Sequence, residues 1–175
     1  MPLGRKHERA VFSCGKDSLD RYLRNQAGQA VGKNLAAVFV LTPDGKKVAG
    51  YYTLSSYAVR LDEIPAEIAK KLTRMQEVPA TLLGRLARSV ESRGQGIGEI
   101  LLVDALKKAL QNNVHVASWA VVVDAKDEEA AEFYRRYGFI PFPNRPNRLF
   151  LPMSSIEKMF RPEEKEGASS PSKET

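Results

Sequence analysis

Arg93-Gly94-Gln95-Gly96-Ile97-Gly98 lies between an apolar run over residues 81–87 and a helical stretch that begins at Glu99. This order predicts a strand, a glycine loop and a helix. Glycines at alternate positions let the backbone approach a ligand closely and turn its N–H groups inward. The helix that follows adds the positive end of its dipole. The segment therefore predicts an anion site that suits phosphate or pyrophosphate.

Two common phosphate-binding motifs do not fit this loop. The dinucleotide fingerprint G-x-G-x-x-G would need a glycine where Glu99 stands. A Walker A loop needs Gly-Lys-Ser or Gly-Lys-Thr before its helix, and the sequence has neither triplet. Taken alone, the loop leaves two alternatives open, a coenzyme site and a glycine-rich turn without a ligand.

Length and composition indicate one globular domain. The chain has 175 residues, of which 43% are hydrophobic and 27% charged. No apolar run approaches the roughly 20 residues that span a bilayer, and the first residues lack the apolar segment of a signal peptide. We therefore expect a cytoplasmic protein with no membrane partner. The single cysteine, Cys14, predicts no metal cluster, and the net charge of +6 favours polyanionic partners only weakly.

The chain divides into a leader, a folded domain and a tail. We expect residues 1–7 to be a loose leader, residues 8–160 the domain, and residues 161–175, which are polar throughout, a disordered tail. Helices and strands are mixed along the domain, which indicates an α/β (α+β) fold. The predicted helices are 16–30, 65–72, 97–110, 127–136 and 155–160, and the predicted strands are 8–12, 35–41, 48–59, 81–87, 115–123 and 147–152.

A second motif follows the glycine loop by one strand: Ala130-Ala131-Glu132-Phe133-Tyr134-Arg135-Arg136-Tyr137-Gly138-Phe139. It resembles the A-x-x-F-Y-x-x-x-G-F segment of the GNAT acetyltransferases, and the glycine loop is similar to their R/Q-x-x-G-x-G/A signature. The resemblance covers roughly residues 8–160. It implies a single GNAT acyltransferase domain, in which a central mixed, mostly antiparallel sheet is flanked by helices and splayed at the acetyl-CoA site.

Three further segments resemble the acetyltransferase toxins of bacterial toxin–antitoxin pairs. They are residues 12–23, which carry Phe12-Ser13-Cys14-Gly15, then Gly50-Tyr51-Tyr52-Thr53-Leu54, and Leu83-Gly84-Arg85-Leu86-Ala87. The chain departs from the toxin pattern at Ser89, where an aspartate usually stands. The resemblance implies an enzyme that acetylates the α-amino group of aminoacyl-tRNA and blocks translation. It also implies a ribbon-helix-helix antitoxin and a homodimer.

The same resemblance implies where acetyl-CoA binds and how the reaction is catalysed. Tyr134 is the expected general acid, because a phenol of pKa ~10 is protonated at neutral pH and can protonate a thiolate of pKa ~8.5. Tyr137 is the competing candidate, and no general base stands out. The residues expected to bind the coenzyme are Leu86, Ala87, Arg88, Arg93, Gly94, Gln95, Gly96, Ile97, Gly98 and Phe133.

A tRNA substrate would require basic side chains on the surface. A solvated basic face without a nucleic-acid partner is the alternative for each of them. Two other functions stay open, acetylation of a small amine or protein amino group, and a non-catalytic module that binds the coenzyme or an antitoxin. The candidate nucleic-acid contacts are Lys33, Arg85, Arg88, Arg136, Arg145 and Arg148.

Overall fold

A computed structural model describes residues 1–72 and 75–162. Its six strands form one sheet in the order β1-β2-β3-β4-β6-β5. Only β3 and β4 pair in parallel, and the other neighbours are antiparallel. The predicted mixed, mostly antiparallel sheet is confirmed. The strands are β1 (Ala37–Leu41), β2 (Gly50–Arg60), β3 (Glu77–Arg88), β4 (Ala120–Asp124), β5 (Ile140–Phe142) and β6 (Arg145–Pro152).

Helices cover both faces of this sheet. None in the described ranges is long and apolar enough to cross a membrane. A π-helical segment, Tyr22–Gln26, joins the first two helices, and short 3-10 turns span Leu61–Glu63 and Val90–Ser92. The helices are α1 (Asp17–Arg21), α2 (Ala27–Gly32), α3 (Ala66–Ala69), α4 (Ile97–Asn112), α5 (Glu128–Arg136) and α6 (Met153–Phe160).

The core has two sides because successive side chains of a strand point to opposite faces. Val121 and Val123 belong to the cluster that α4, α5 and α6 cover, which we call the first face. Ala120 and Val122 point to the second face. On that face α1 and α2 cover one cluster, and the α3 region covers the other.

The central strands separate at one end. β3 pairs with β4 only over Thr81–Leu83, and β3 then continues to Arg88 without β4 beside it. A bulge at Gly84, where Thr53 pairs with Arg85 but Leu54 with Leu83, marks the point of departure. The sheet is therefore splayed there, as the resemblance implied.

Residues 1–7 do not form the loose leader that the sequence predicts. The Leu3 N–H donates to the Val38 carbonyl and the Val40 N–H to the Met1 carbonyl, each at 2.8 Å, and His7 is buried. The physical reason is that β1 lies at the edge of the sheet, where unpaired backbone groups bind any adjacent extended segment. The predicted tail lies outside the described residues from position 163 onward.

Candidate active site

A cleft of about 510 Å³ opens where β3 leaves β4. This volume lies in the range of small-molecule sites. Gly94 and Gln95, which the resemblance also assigns to the coenzyme, are not among the lining residues. The predicted site residues that do line the cleft are Leu86, Ala87, Arg88, Arg93, Gly96, Ile97, Gly98, Phe133 and Tyr134.

The glycine loop has the backbone conformation that its sequence predicts. Gly94 has φ of +77° and Gly96 has φ of +69°, which an L side chain adopts only with strain. Gly96 is the N-cap of α4, and no side chain of the described residues caps this terminus. The first amides and the positive dipole end of this helix are therefore available to an anion.

Ser89 stabilises the turn that precedes the glycine loop. It is buried, and its N–H donates to the Ala49 carbonyl at 2.8 Å. Its hydroxyl accepts a hydrogen bond from the Glu91 N–H at 3.3 Å and so begins the 3-10 turn that leads to the loop. Serine and aspartate share this N-capping ability. The departure at Ser89 thus keeps the local structure.

Tyr134 lies in α5, between a capped start and a glycine end. The Asp127 carboxylate accepts from the Ala130 N–H at 2.8 Å, and Gly138, with φ of +89°, follows the helix. Tyr134 is 7% exposed, and its ring packs against Phe139 with centroids 5.4 Å apart. Burial raises the pKa of its phenol. Tyr134 is therefore a neutral hydroxyl donor in the wall of the cleft.

Tyr137 also lines the cleft. Partial burial raises the pKa of its phenol, and the neighbouring Glu99 carboxylate raises it further. It is less buried than Tyr134. Both tyrosines of the second motif thus reach the cleft, and Tyr134 has the drier surroundings.

Cys14 and Lys16, from the segment before α1, also line the cleft. The Cys14 N–H donates to Asp20 Oδ1 at 2.8 Å, and burial together with the Asp20 carboxylate raises the pKa of the Cys14 thiol to about 11. Since the thiolate is the reactive form of cysteine, this thiol is a poor nucleophile at neutral pH. Lys16 forms an ion pair with Asp127, which joins the starts of α1 and α5 across the cleft.

The six candidate nucleic-acid residues separate into two groups. Arg85, Arg88 and Arg136 line the cleft. The Arg85 guanidinium lies 3.6 Å from the centroid of the Tyr22 ring, a cation–π arrangement that holds it in place. The remaining candidates, Lys33, Arg145 and Arg148, are not lining residues.

Sequence reasoning assigned no role to several residues that line the cleft. Lys16 and Asp127 come from segments far apart in the chain, and no local pattern relates them. Asp124 had a detectable signal, since it directly follows the apolar strand 115–123 and polar residues at strand ends often form sites. Arg148 forms an ion pair with this carboxylate, and its Nε donates to Asp124 Oδ1 at 2.7 Å.

An uncapped helix start beside a splayed strand pair, with a buried tyrosine in the same cleft, is the arrangement expected of an acyltransferase. The profile of the acetyltransferase (GNAT) domain matches residues 34–141, which is more than half of the chain. The chain belongs to the GNAT family, as its two motifs indicated, and is an N-acetyltransferase.

Two curated relatives match nearly the whole chain. The probable toxin TacT of Sinorhizobium fredii is 29% identical over 163 residues, which are 89% of this chain and 90% of the relative. The tRNA-acetylating toxin of Mycobacterium tuberculosis is 34% identical over 149 residues, which are 85% of this chain and 88% of the relative.

Solved structures of similar proteins carry ligands. AtaT complexed with acetyl-methionyl-tRNAfMet has a TM-score of 0.84 and 28% identity, covering 92% of this chain and 98% of that one. An AtaT variant bound to acetyl-CoA and the C-terminus of the antitoxin AtaR has a TM-score of 0.77 and 26% identity, covering 91% and 96%.

Proposed function

We propose that this enzyme transfers the acetyl group of acetyl-CoA to the α-amino group of aminoacyl-tRNA, and that it is a toxin that blocks translation. The observation that carries the proposal is the cleft itself, which combines the glycine loop and a buried tyrosine with three arginines outside that loop, Arg85, Arg88 and Arg136. The similarity to the tRNA-acetylating toxin of M. tuberculosis supports the same substrate.

The glycine loop would bind the pyrophosphate of acetyl-CoA. Backbone N–H groups of Gly96, Ile97 and Gly98, which line the cleft, would supply the donors, and the dipole of α4 favours the charge. The edge of β3 that β4 leaves free would hold the pantetheine arm. One of its N–H groups would stabilise the oxyanion that develops on the thioester carbonyl.

Tyr134 would supply the proton that the departing thiolate needs. The amine nitrogen attacks the thioester carbon, the C–S bond breaks, and the phenol protonates the sulfur. The proton that the nitrogen loses returns to the phenolate, so the tyrosine is regenerated. Burial raises the pKa of Tyr134, and the same dry surroundings raise the basicity of a thiolate beside it.

An α-amino acceptor fits a site without a strong base. Its pKa of ~8 leaves a useful neutral fraction at physiological pH, whereas a lysine amine of pKa ~10.4 would need help. Arg85, Arg88 and Arg136 would take the phosphates of the RNA end that carries the amino acid.

Regulation by an antitoxin follows from the toxin role. We propose a ribbon-helix-helix antitoxin, a homodimeric enzyme and a cytoplasmic location, where charged tRNA is found. The AtaT variant bound to the C-terminus of AtaR is the precedent for such a partner. Coexpression with its ribbon-helix-helix antitoxin should restore growth, and light scattering should give twice the mass of one chain.

The deciding experiment uses labelled acetyl-CoA with charged and deacylated tRNA. Label should appear on charged tRNA only and should be lost on ester hydrolysis. Tyr134→Phe should lower the rate about 10²- to 10⁴-fold, the contribution of a general acid, while Tyr137→Phe serves as the matched control with a small effect. Unlabelled RNA alongside acetylation of small amines or proteins would overturn the tRNA assignment.

A further inference from the structure

Asp124 is the last residue of β4 and lines the cleft. It follows Val123, whose partner Leu83 is the last residue of β3 that pairs with β4. The carboxylate therefore lies at the point where the two strands separate.

Asp124 and Tyr134 flank this point from opposite faces of the sheet. Asp124 is two residues beyond Val122 and so shares the second face with it, whereas Tyr134 packs in the core of the first face. Asp124 and Tyr134 both line the cleft. An acceptor that enters the cleft on the Asp124 side therefore lies away from the proton donor.

Two hydrogen bonds from Arg148 hold the Asp124 carboxylate in a fixed orientation. Arg148 Nε lies 2.7 Å from Oδ1 and Nη2 lies 3.1 Å from Oδ2. Arg148 is itself fixed by the Tyr57 side chain, whose hydroxyl accepts its hydrogen bond and whose ring centroid lies 5.3 Å away. The Asp124 side chain is 49% exposed and that of Arg148 17%. Each carboxylate oxygen keeps a further acceptor site on the cleft side.

We propose that Asp124 binds and orients the amino group of the acceptor, and that Arg148 is the positioning residue that aims it. The proposal rests on the proposed function, because it concerns the acceptor of the same reaction. A fixed carboxylate pairs with the positive charge and several donors of an ammonium, whereas a neutral hydroxyl offers it a single, weaker hydrogen bond. The Asp124 carboxylate would therefore favour amines over alcohols.

The other carboxylates of the cleft are placed differently. Asp127 is occupied by the Ala130 N–H and the Lys16 ammonium. Glu99 and Glu129 stand in the first turns of α4 and α5, not at the separation of the strands. Among the lining residues, Asp124 is the carboxylate that lies at that separation.

The test compares two RNA probes that differ only in the amino group: charged tRNA, and the same tRNA acylated with the corresponding α-hydroxy acid. Dissociation constants are measured with Tyr134→Phe protein, which is slow in transfer. This protein should bind the amine probe about tenfold to a hundredfold more tightly than the hydroxyl probe, which is the range for one hydrogen bond to a charged group. Adding Asp124→Asn should abolish the preference and leave the affinity for acetyl-CoA unchanged.

Asp62→Asn is the matched control. Asp62 pairs with both Arg60 Nε and Arg60 Nη2, at 3.1 and 2.7 Å, outside this cleft. This variant should keep the preference. A preference that survives Asp124→Asn in a folded protein would overturn the proposal.

Two further arms keep the result interpretable. If Asp124→Asn does not fold, Arg148→Lys replaces it, since lysine keeps the charge but cannot make two parallel hydrogen bonds. An unchanged preference for the amine probe in Arg148→Lys would also overturn the proposal.

If wild-type enzyme fails to acetylate charged tRNA but acetylates a small amine, the proposed function fails separately. The same comparison is then made with that amine and its alcohol analogue, and a preference lost in Asp124→Asn supports the role of Asp124.

Discussion

Burial of a single residue, Tyr134, raises the upper pH limit of the proposed reaction. Dry surroundings disfavour a phenolate, so the pKa of Tyr134 is raised. The proton donor is then lost only at a pH above the usual value of ~10 for tyrosine. The acceptor amine has the opposite pH dependence: it loses its proton and becomes nucleophilic as pH rises through ~8.

We therefore expect kcat/KM to rise with pH up to about 8 and to stay level to at least pH ~10. Single-turnover transfer at short times, before the aminoacyl ester hydrolyses, measures this profile. Tyr134→Phe should keep the rise through pH 8 at a much lower rate. A fall in wild-type activity with a midpoint near pH 9 would show that Tyr134 is not the acid.

Residues defined by local geometry were predictable from the sequence, and residues brought together by distant pairing were not. Gly96 needs a positive φ, and Tyr134 sits at a fixed distance from the glycine that ends its helix. Both are properties of short segments. The Asp124–Arg148 pair and the Lys16–Asp127 pair depend on strand order and on contacts between distant segments, which spacing along the chain does not encode.

At the scale of elements, the glycine loop depends on how closely α4 approaches β2. A Cβ at Gly50 would lie 2.7 Å from Leu101 Cδ1, 3.0 Å from Ile97 Cγ2 and 3.0 Å from the Ala87 carbonyl oxygen. Ile97 is the first residue of α4. The absence of a side chain at Gly50 thus allows the close approach that positions the start of α4, the proposed phosphate site.

Gly50→Ala should lower the free energy of unfolding by about 1–3 kcal/mol, the usual effect of overpacking. It should also weaken acetyl-CoA binding, because the start of α4 must move. Gly32→Ala is the control, since nothing lies within 4 Å of its Cβ position at the end of α2. Chemical denaturation and calorimetry measure both effects. Equal behaviour of the two variants would refute the role of this packing.

Most elements were predicted, and the errors have local causes. The strand predicted over 115–123 begins only at Ala120, because the His115 and Val116 N–H groups donate back to the Asn112 carbonyl and prolong the turn after α4. β5 was missed, since three residues give too short an alternation to detect. The predicted strand 8–12 is wrong beyond a single bridge between Glu8 and Lys47.

At the scale of the whole molecule, the position of the positive charge matters more than its amount. The chain has 27 basic and 21 acidic residues, but only some of these charges face the cleft. Arg85 and Arg88 follow the bulge of β3, Arg136 ends α5, and all three converge on the cleft. Lys33 and Arg145 add the same charge elsewhere on the surface.

We therefore expect transfer to charged tRNA to depend on the position of each arginine. Each phosphate contact to a single strand contributes about −0.7 to the slope of log affinity against log salt concentration, so three contacts predict a slope near −2. Arg85→Gln should weaken binding of the tRNA and make the slope shallower by about 0.7, because the guanidinium that the Tyr22 ring holds in place is lost. Arg145→Gln removes the same net charge outside the cleft and should leave the slope unchanged. If both substitutions reduce the slope equally, net charge rather than the placement of Arg85 attracts the RNA, and this face of the cleft does not contact it.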